Sequence, residues 1–159
     1  YDGPGTWSLN ITATDNSGGT VTNLTSFTIN NLDSIAVDDT IINFAASLTT
    51  SQDVQGDTLT FTNYGNQNYN LFNFTAFNLT GKVDTSKHIG ATNFCSNQIN
   101  APNTGCDALA HLISVSIGGT ALPKGASSTE QIYNFVDLPG VTLQDYNATT
   151  LWSMLITTI

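Results

Sequence analysis

The sequence predicts an all-β fold, a β-sandwich of eight or nine strands. Charged residues make up only 9 % of the chain, far below the roughly 25 % of an ordinary soluble domain. Their place is taken by 25 Thr, 18 Asn and 13 Ser, and the branched Cβ of Thr packs well on a pleated surface. The charged helix formers are almost gone: there is one Glu, three Lys and no Arg, so long polar helices have little to be built from. Short runs alternate apolar and polar residues between Gly, Asn and Asp turns, with no sustained helical period.

The elements follow in order. In Thr6 to Thr14, Trp7, Leu9, Ile11 and Ala13 alternate with polar residues, a period of two with one face buried. Asp15 to Gly19 is a turn, with glycine available for positive φ. Thr20 to Asn30 returns as the second strand of a hairpin; Leu24 is out of phase, which predicts a bulge near Asn23. A polar joint leads to Ile35 and Val37, the Asp38-Asp39 pair, and a strand over Thr40 to Phe44. Ser47 to Gly56 reads as a loop, Thr58 to Thr62 as a strand and Asn63 to Asn66 as a turn. Tyr69 to Leu79 is aromatic on both faces, so it belongs in the middle of a sheet. Gly81 to Asp107 reads as a loop holding both cysteines, and Asp107 to Leu112 is the only helix candidate. His111 to Ile117 and Ile132 to Leu143 are strands, the latter broken at Pro139-Gly140, with a loop over Gly118 to Thr129 between them. Thr150 to Ile159 is the last strand, with Trp152, Met154 and Ile156 on one face.

A net charge of −9 without a basic patch argues against nucleic acid as partner and against anionic lipid surfaces. No stretch of about 18 apolar residues exists, so this segment is not expected to insert in a membrane. Cys95 and Cys106 have ten residues between them in a segment rich in Asn, Gly, Pro and Ser. In an exported chain that spacing predicts a disulfide, with two free thiols as the other reading. The chain opens at Tyr1 and ends at Ile159 inside an apolar run, and is read as a piece of a longer protein.

Two segments resemble known domains. Tyr1-Asp2-Gly3-Pro4-Gly5-Thr6-Trp7, continuing to Ala13-Thr14-Asp15-Asn16-Ser17-Gly18, resembles the closing hairpin of PKD-like and related immunoglobulin-like domains. Those carry a Y-x-x-P-G-T-aromatic opening and a T-D-x-x-G turn. Thr58-Leu59-Thr60-Phe61-Thr62-Asn63-Tyr64-Gly65-Asn66 resembles the "TFTNTGN" turn of β-sandwich domains in archaeal cell-surface proteins, S-layer-type and adhesin-like. Leu151 to Leu155 matches the late Trp-x-x-Leu segment of that pattern. The resemblance covers about half the chain. It implies an immunoglobulin-like β-sandwich over 33–159 and, over 1–32, a hairpin closing a neighbouring PKD/Ig-like domain. It implies an extracellular place on a cell surface or filament, glycosylation, structural or adhesive work, and no catalytic residues.

The N-glycosylation acceptors are Asn10, Asn23, Asn73, Asn78 and Asn147, each two residues before a Thr. About four such motifs are expected by chance from this composition, so position is the better guide, and Asn10 falls on the wet phase of its strand. Asp15, Asp33, Asp38 and Asp39 lie near the joint, but calcium needs six to eight oxygens and no Asp-rich loop supplies them. They read as turn aspartates, and no metal ligand or cofactor is predicted. His88 and His111 with Asp107 lack any nucleophile elbow, and a single Glu leaves little acid–base machinery, so no catalytic residue is assigned. None of the three lysines sits in an apolar strand, which disfavours an isopeptide bond. Tyr64, Tyr69, Phe72, Phe74 and Phe77 read as core before they read as a sugar-stacking platform.

The expected function is therefore a non-enzymatic structural module, with carbohydrate binding or adhesion as the alternative. Identical copies joined by strand addition, or other surface proteins, are the expected partners. The open edge of the last strand is filled either by a neighbouring copy or by a later strand of the same chain.

Overall fold

The computed structural model describes residues 2–45, 51–102, 105–125, 128–138 and 140–158. Among them the chain is all β, with fourteen strands, one short 3-10 turn at Ala91–Asn93 and no α-helix. The alternating N-terminal segments form an antiparallel hairpin, β1 (Gly5–Thr14) and β2 (Thr20–Ile29). Its register is unbroken from Gly5 opposite Ile29 to Thr14 opposite Thr20. The predicted bulge at Asn23 is therefore absent. Leu24 stays in phase and lies on the polar face, opposite Asn10.

The rest is a sandwich-type body of antiparallel sheets. One sheet contains β3 (Ile35–Val37), β4 (Val54–Gln55), β5 (Leu59–Asn63), β9 (Phe94–Asn97), β10 (Asp107–Ala108) and β12 (Ser128–Val136). Its order is β10-β9-β12-β5-β3, with β4 also on β12. A second sheet sets β6 (Tyr69–Thr75) between β11 (Ser114–Ile117) and β14 (Ser153–Thr158). The aromatic strand is thus central, as its two apolar faces predict. A third sheet has the order β13 (Tyr146–Ala148), β7 (Leu79–Gly81), β8 (His88–Ile89).

The core lies between these sheets. Phe61 of β5 meets Phe72 of β6 with ring centroids 5.1 Å apart. Phe94 of β9 is met edge-on by Trp152 at 5.1 Å and by Phe44 at 5.3 Å. The Trp152 Nε1–H, which must be satisfied once buried, donates to the Phe77 carbonyl at 2.9 Å. Leu59, Ile117, Leu122 and Ile132 are buried with them.

Several boundaries differ from the sequence reading. Asp107–Ala108 is strand β10, and Leu112 turns the chain at φ 62, so the predicted helix is not formed. Thr40 to Phe44 is not a strand. Asp39 accepts hydrogen bonds from Thr40 N and Ile41 N, and this local turn displaces ladder pairing; only Phe44 makes a bridge, to Gly56. Gly81 to Asp107 contains β8 and β9 where a loop is predicted. The segment Ser47 to Gly56 holds β4, and its residues 47–50 lie outside the described residues. β12 starts at Ser128 rather than Ile132.

Candidate functional site

The hairpin is bare. Every residue of β1 and all of β2 except Ile29 are exposed. The register gathers Trp7, Leu9, Ile11 and Ala13 with Val21 and Phe27 on one face, Trp7 directly opposite Phe27. Ile11 is 53 % and Val21 72 % exposed. Such a face is normally buried, because an isolated two-stranded hairpin is marginal in water. The two strands together carry no charged residue and no proline. Natural sheet edges are usually guarded by such residues against pairing with other strands. At the tip, the Asp15 carboxylate accepts from Ser17 N and Gly19 N, both at 2.8 Å, and holds the turn.

A polar socket fixes the hairpin to the body. Asn66 reads the connecting backbone with both ends of its amide: Leu32 N donates to Oδ1 at 2.8 Å, and Nδ2 donates to Asn30 O at 2.9 Å. Tyr64 N and Gly65 N both donate to Ser34 O. Asn63, fully buried, donates to the carbonyls of Gln67 and Pro123 and accepts from Gly65 N. A Cβ on Gly65 would overlap the Leu32 carbonyl oxygen. The Asn-Tyr-Gly-Asn turn is thus the joint between hairpin and body, and each of its small polar residues has a defined contact there. Asp33 supports it by accepting from Gln67 Nε2 and the Tyr69 hydroxyl. Burial, and then the Asp33 charge, push the Tyr69 phenol above its ordinary value.

No protein-family model, no curated protein and no solved structure matches the chain. The likeness of its turns to PKD-like and archaeal surface domains rests on those residues alone.

At the opposite end of the body lies a cleft of about 430 Å³. Phe94, Ile89, Leu79, Val136, Leu138 and Val141 give it an apolar floor. Its rim carries the exposed Leu143 and the Lys82–Asp145 ion pair at 3.8 Å. Gln144 braces the rim by accepting from Val83 N and Asp84 N. β14 is the edge of its sheet: one side pairs with β6, and among the described residues no strand pairs with the other.

The remaining sequence candidates are scattered. Cys95 and Cys106 form a disulfide with Cα atoms 5.6 Å apart, and Cys95 lies on strand β9 rather than in a loop. Asn10 and Asn23 are exposed on opposite faces of the hairpin, and Asn147 is exposed on β13. Asn73 is half-buried between Ser116 and Leu155, and Asn78 accepts from Ala91 N. His111 accepts from Asn78 N, His88 contacts Thr80 and Asp107 accepts from Gly118 N; these three side chains are each engaged separately. Asp38 accepts from Thr60 N, a bond that holds its carboxyl below the usual range. No cluster of three His, Cys, Asp or Glu fit for a metal occurs among the described residues. Of the five aromatics weighed as a sugar platform, Tyr69, Phe72 and Phe74 are buried and Tyr64 alone is exposed. The cleft and the Asn66 socket were missed from sequence. The socket's signal was present in the run of Asn around Gly65, read only as a turn.

Proposed function

We propose that the chain is a structural, non-enzymatic module of an extracellular surface protein or filament that assembles through its β-sheet edges. The observation that carries this reading is the uncharged, apolar-faced hairpin held away from the body by a dedicated socket. The edge of β14, unpaired among the described residues, adds a second place for strand addition. The disulfide fits an oxidising, extracellular setting, and the turn resemblances supply the archaeal, PKD-like context and the expectation of N-linked glycans at exposed acceptors such as Asn10 and Asn147. Sedimentation velocity over a concentration series tests the reading. Reversible growth into dimers and longer species is expected; a strict monomer at every concentration would refute it.

A further inference from the structure

Asn23 stands in the middle of the bare apolar face of the hairpin. Ile11 is directly opposite it in the register, which sets the two Cβ atoms about 5 Å apart. Leu9 and Ala13 are its diagonal neighbours on β1, about 7–8 Å away, and Val21 precedes it on the same face of its own strand. Leu9, Ile11 and Val21 are 47 %, 53 % and 72 % exposed, and Asn23 is exposed among them. Thr25, which completes the acceptor triplet Asn23-Leu24-Thr25, is exposed on that face too, opposite Leu9. Asn10 is placed differently. On the other face it has Leu24 opposite and Ser8, Thr12, Thr22 and Ser26 around it.

We infer that Asn23 carries an N-linked glycan whose first sugars lie on the apolar face and cover it. This rests on the extracellular part of the function proposed above. Attachment is a group transfer. Asn23 Nδ2 bonds to the anomeric carbon of an oligosaccharide held on an isoprenyl phosphate. The bond from that carbon to the phosphate oxygen breaks, the phosphate leaves with the electron pair, and the amide gives up one N–H proton. The occupant follows from where the acceptor sits. A sugar on Asn23 is tethered at the centre of the patch, and a tether makes even a weak contact intramolecular. Pyranose rings turn C–H faces toward apolar side chains and hydroxyls toward water, which suits a flat face bordering solvent. The two strands carry no charge, and a neutral glycan adds none. Farther along the same face lies the Trp7–Phe27 pair, four residues or about 13 Å from Asn23. The Trp7 ring is steadied there by its Nε1–H, which donates to the Gly3 carbonyl at 3.2 Å, and it offers an aromatic surface to the later sugars. An exposed apolar patch of this kind is otherwise an aggregation liability. With sugar over it, two hairpins are kept from stacking face to face, and only their edges stay open to pairing.

The test produces the chain in a eukaryotic host that glycosylates its secreted proteins, with isotope-labelled sugar, beside Asn23→Gln, Thr25→Ala and Asn10→Gln. Peptide mass spectrometry is expected to find Asn23 occupied, and NOE contacts are expected from the first sugar to the Ile11 and Val21 methyls. Asn23→Gln and Thr25→Ala should each raise the binding of an apolar fluorescent dye several-fold, and Asn10→Gln should leave it unchanged. Thr25→Ala keeps the asparagine, so agreement of the two variants assigns the change to the sugar rather than to the amide. All three substitutions fall on exposed hairpin residues, and an unchanged unfolding transition shows that the body is folded. An unmodified Asn23 overturns the inference, and so does an occupied Asn23 whose sugar makes no contact with Ile11 or Val21. Sedimentation of the same samples reads the assembly separately: copies can pair by their edges where the cover fails, and the cover can hold in a strict monomer.

Discussion

Asn66 and Gly65 do for the hairpin what a dedicated linker does elsewhere, and their contacts make them sensitive positions. Replacing Asn66 with Ala leaves Leu32 N and Asn30 O without their partners. The loss of these part-buried bonds costs about 1–3 kcal/mol. The expected readout is faster limited proteolysis at residues 30–34, with the body still cutting slowly. Gly65→Ala should destabilise further, because its Cβ meets backbone rather than a flexible side chain. Unfolding in urea measures both; a Gly65→Ala protein as stable as wild type would remove the socket from this account. Asp38 gives a pH signature. Its carboxyl is held below the ordinary 3.8, chiefly by the Thr60 backbone bond. A depressed carboxylate contributes stability above its unfolded value and loses it as pH falls through the folded one. Wild-type stability should therefore decline below about pH 4, and Asp38→Asn should flatten that acid limb, as followed by thermal unfolding across pH.

At the scale of elements, the disulfide staples the pairing of β9 with β10, where Asp107 faces Ser96 and Ala108 faces Cys95. Closing so short a loop contributes about 2–3 kcal/mol in the chain-entropy model. Cys95→Ser with Cys106→Ser should lower the unfolding free energy by that amount in a denaturant titration; an unchanged midpoint would show that the ladder alone suffices. The long strands were legible because their periods are clean: the hairpin, β5, β6 and β14 follow alternations visible in the sequence. Short strands such as β4, β7, β8 and β10 were not, since two or three residues carry no period and sit among Gly, Asn and Asp. Leu24 misled because alternation alone cannot tell a bulge from an apolar residue left on a wet face. Asp107 to Leu112 misled because a brief apolar run fits helix and strand equally. The cleft was invisible for another reason: its walls come from residues 42–45, β7, β8, β9, β12 and residues 141–146, which only the tertiary fold brings together.

At the scale of the whole molecule, the chain is proposed to associate through its exposed hairpin. Its hairpin amides then have two environments. In the lone chain the outer edges of β1 and β2 face water, and exposed backbone bonds of this kind exchange readily. In the proposed assembly they are covered. Hydrogen–deuterium exchange at low and high protein concentration reads this directly. Protection is expected to rise with concentration over residues 5–29, while the buried strands β5, β6 and β12 stay protected throughout. Identical exchange of the hairpin at both concentrations, in samples shown to differ in association state, would contradict it.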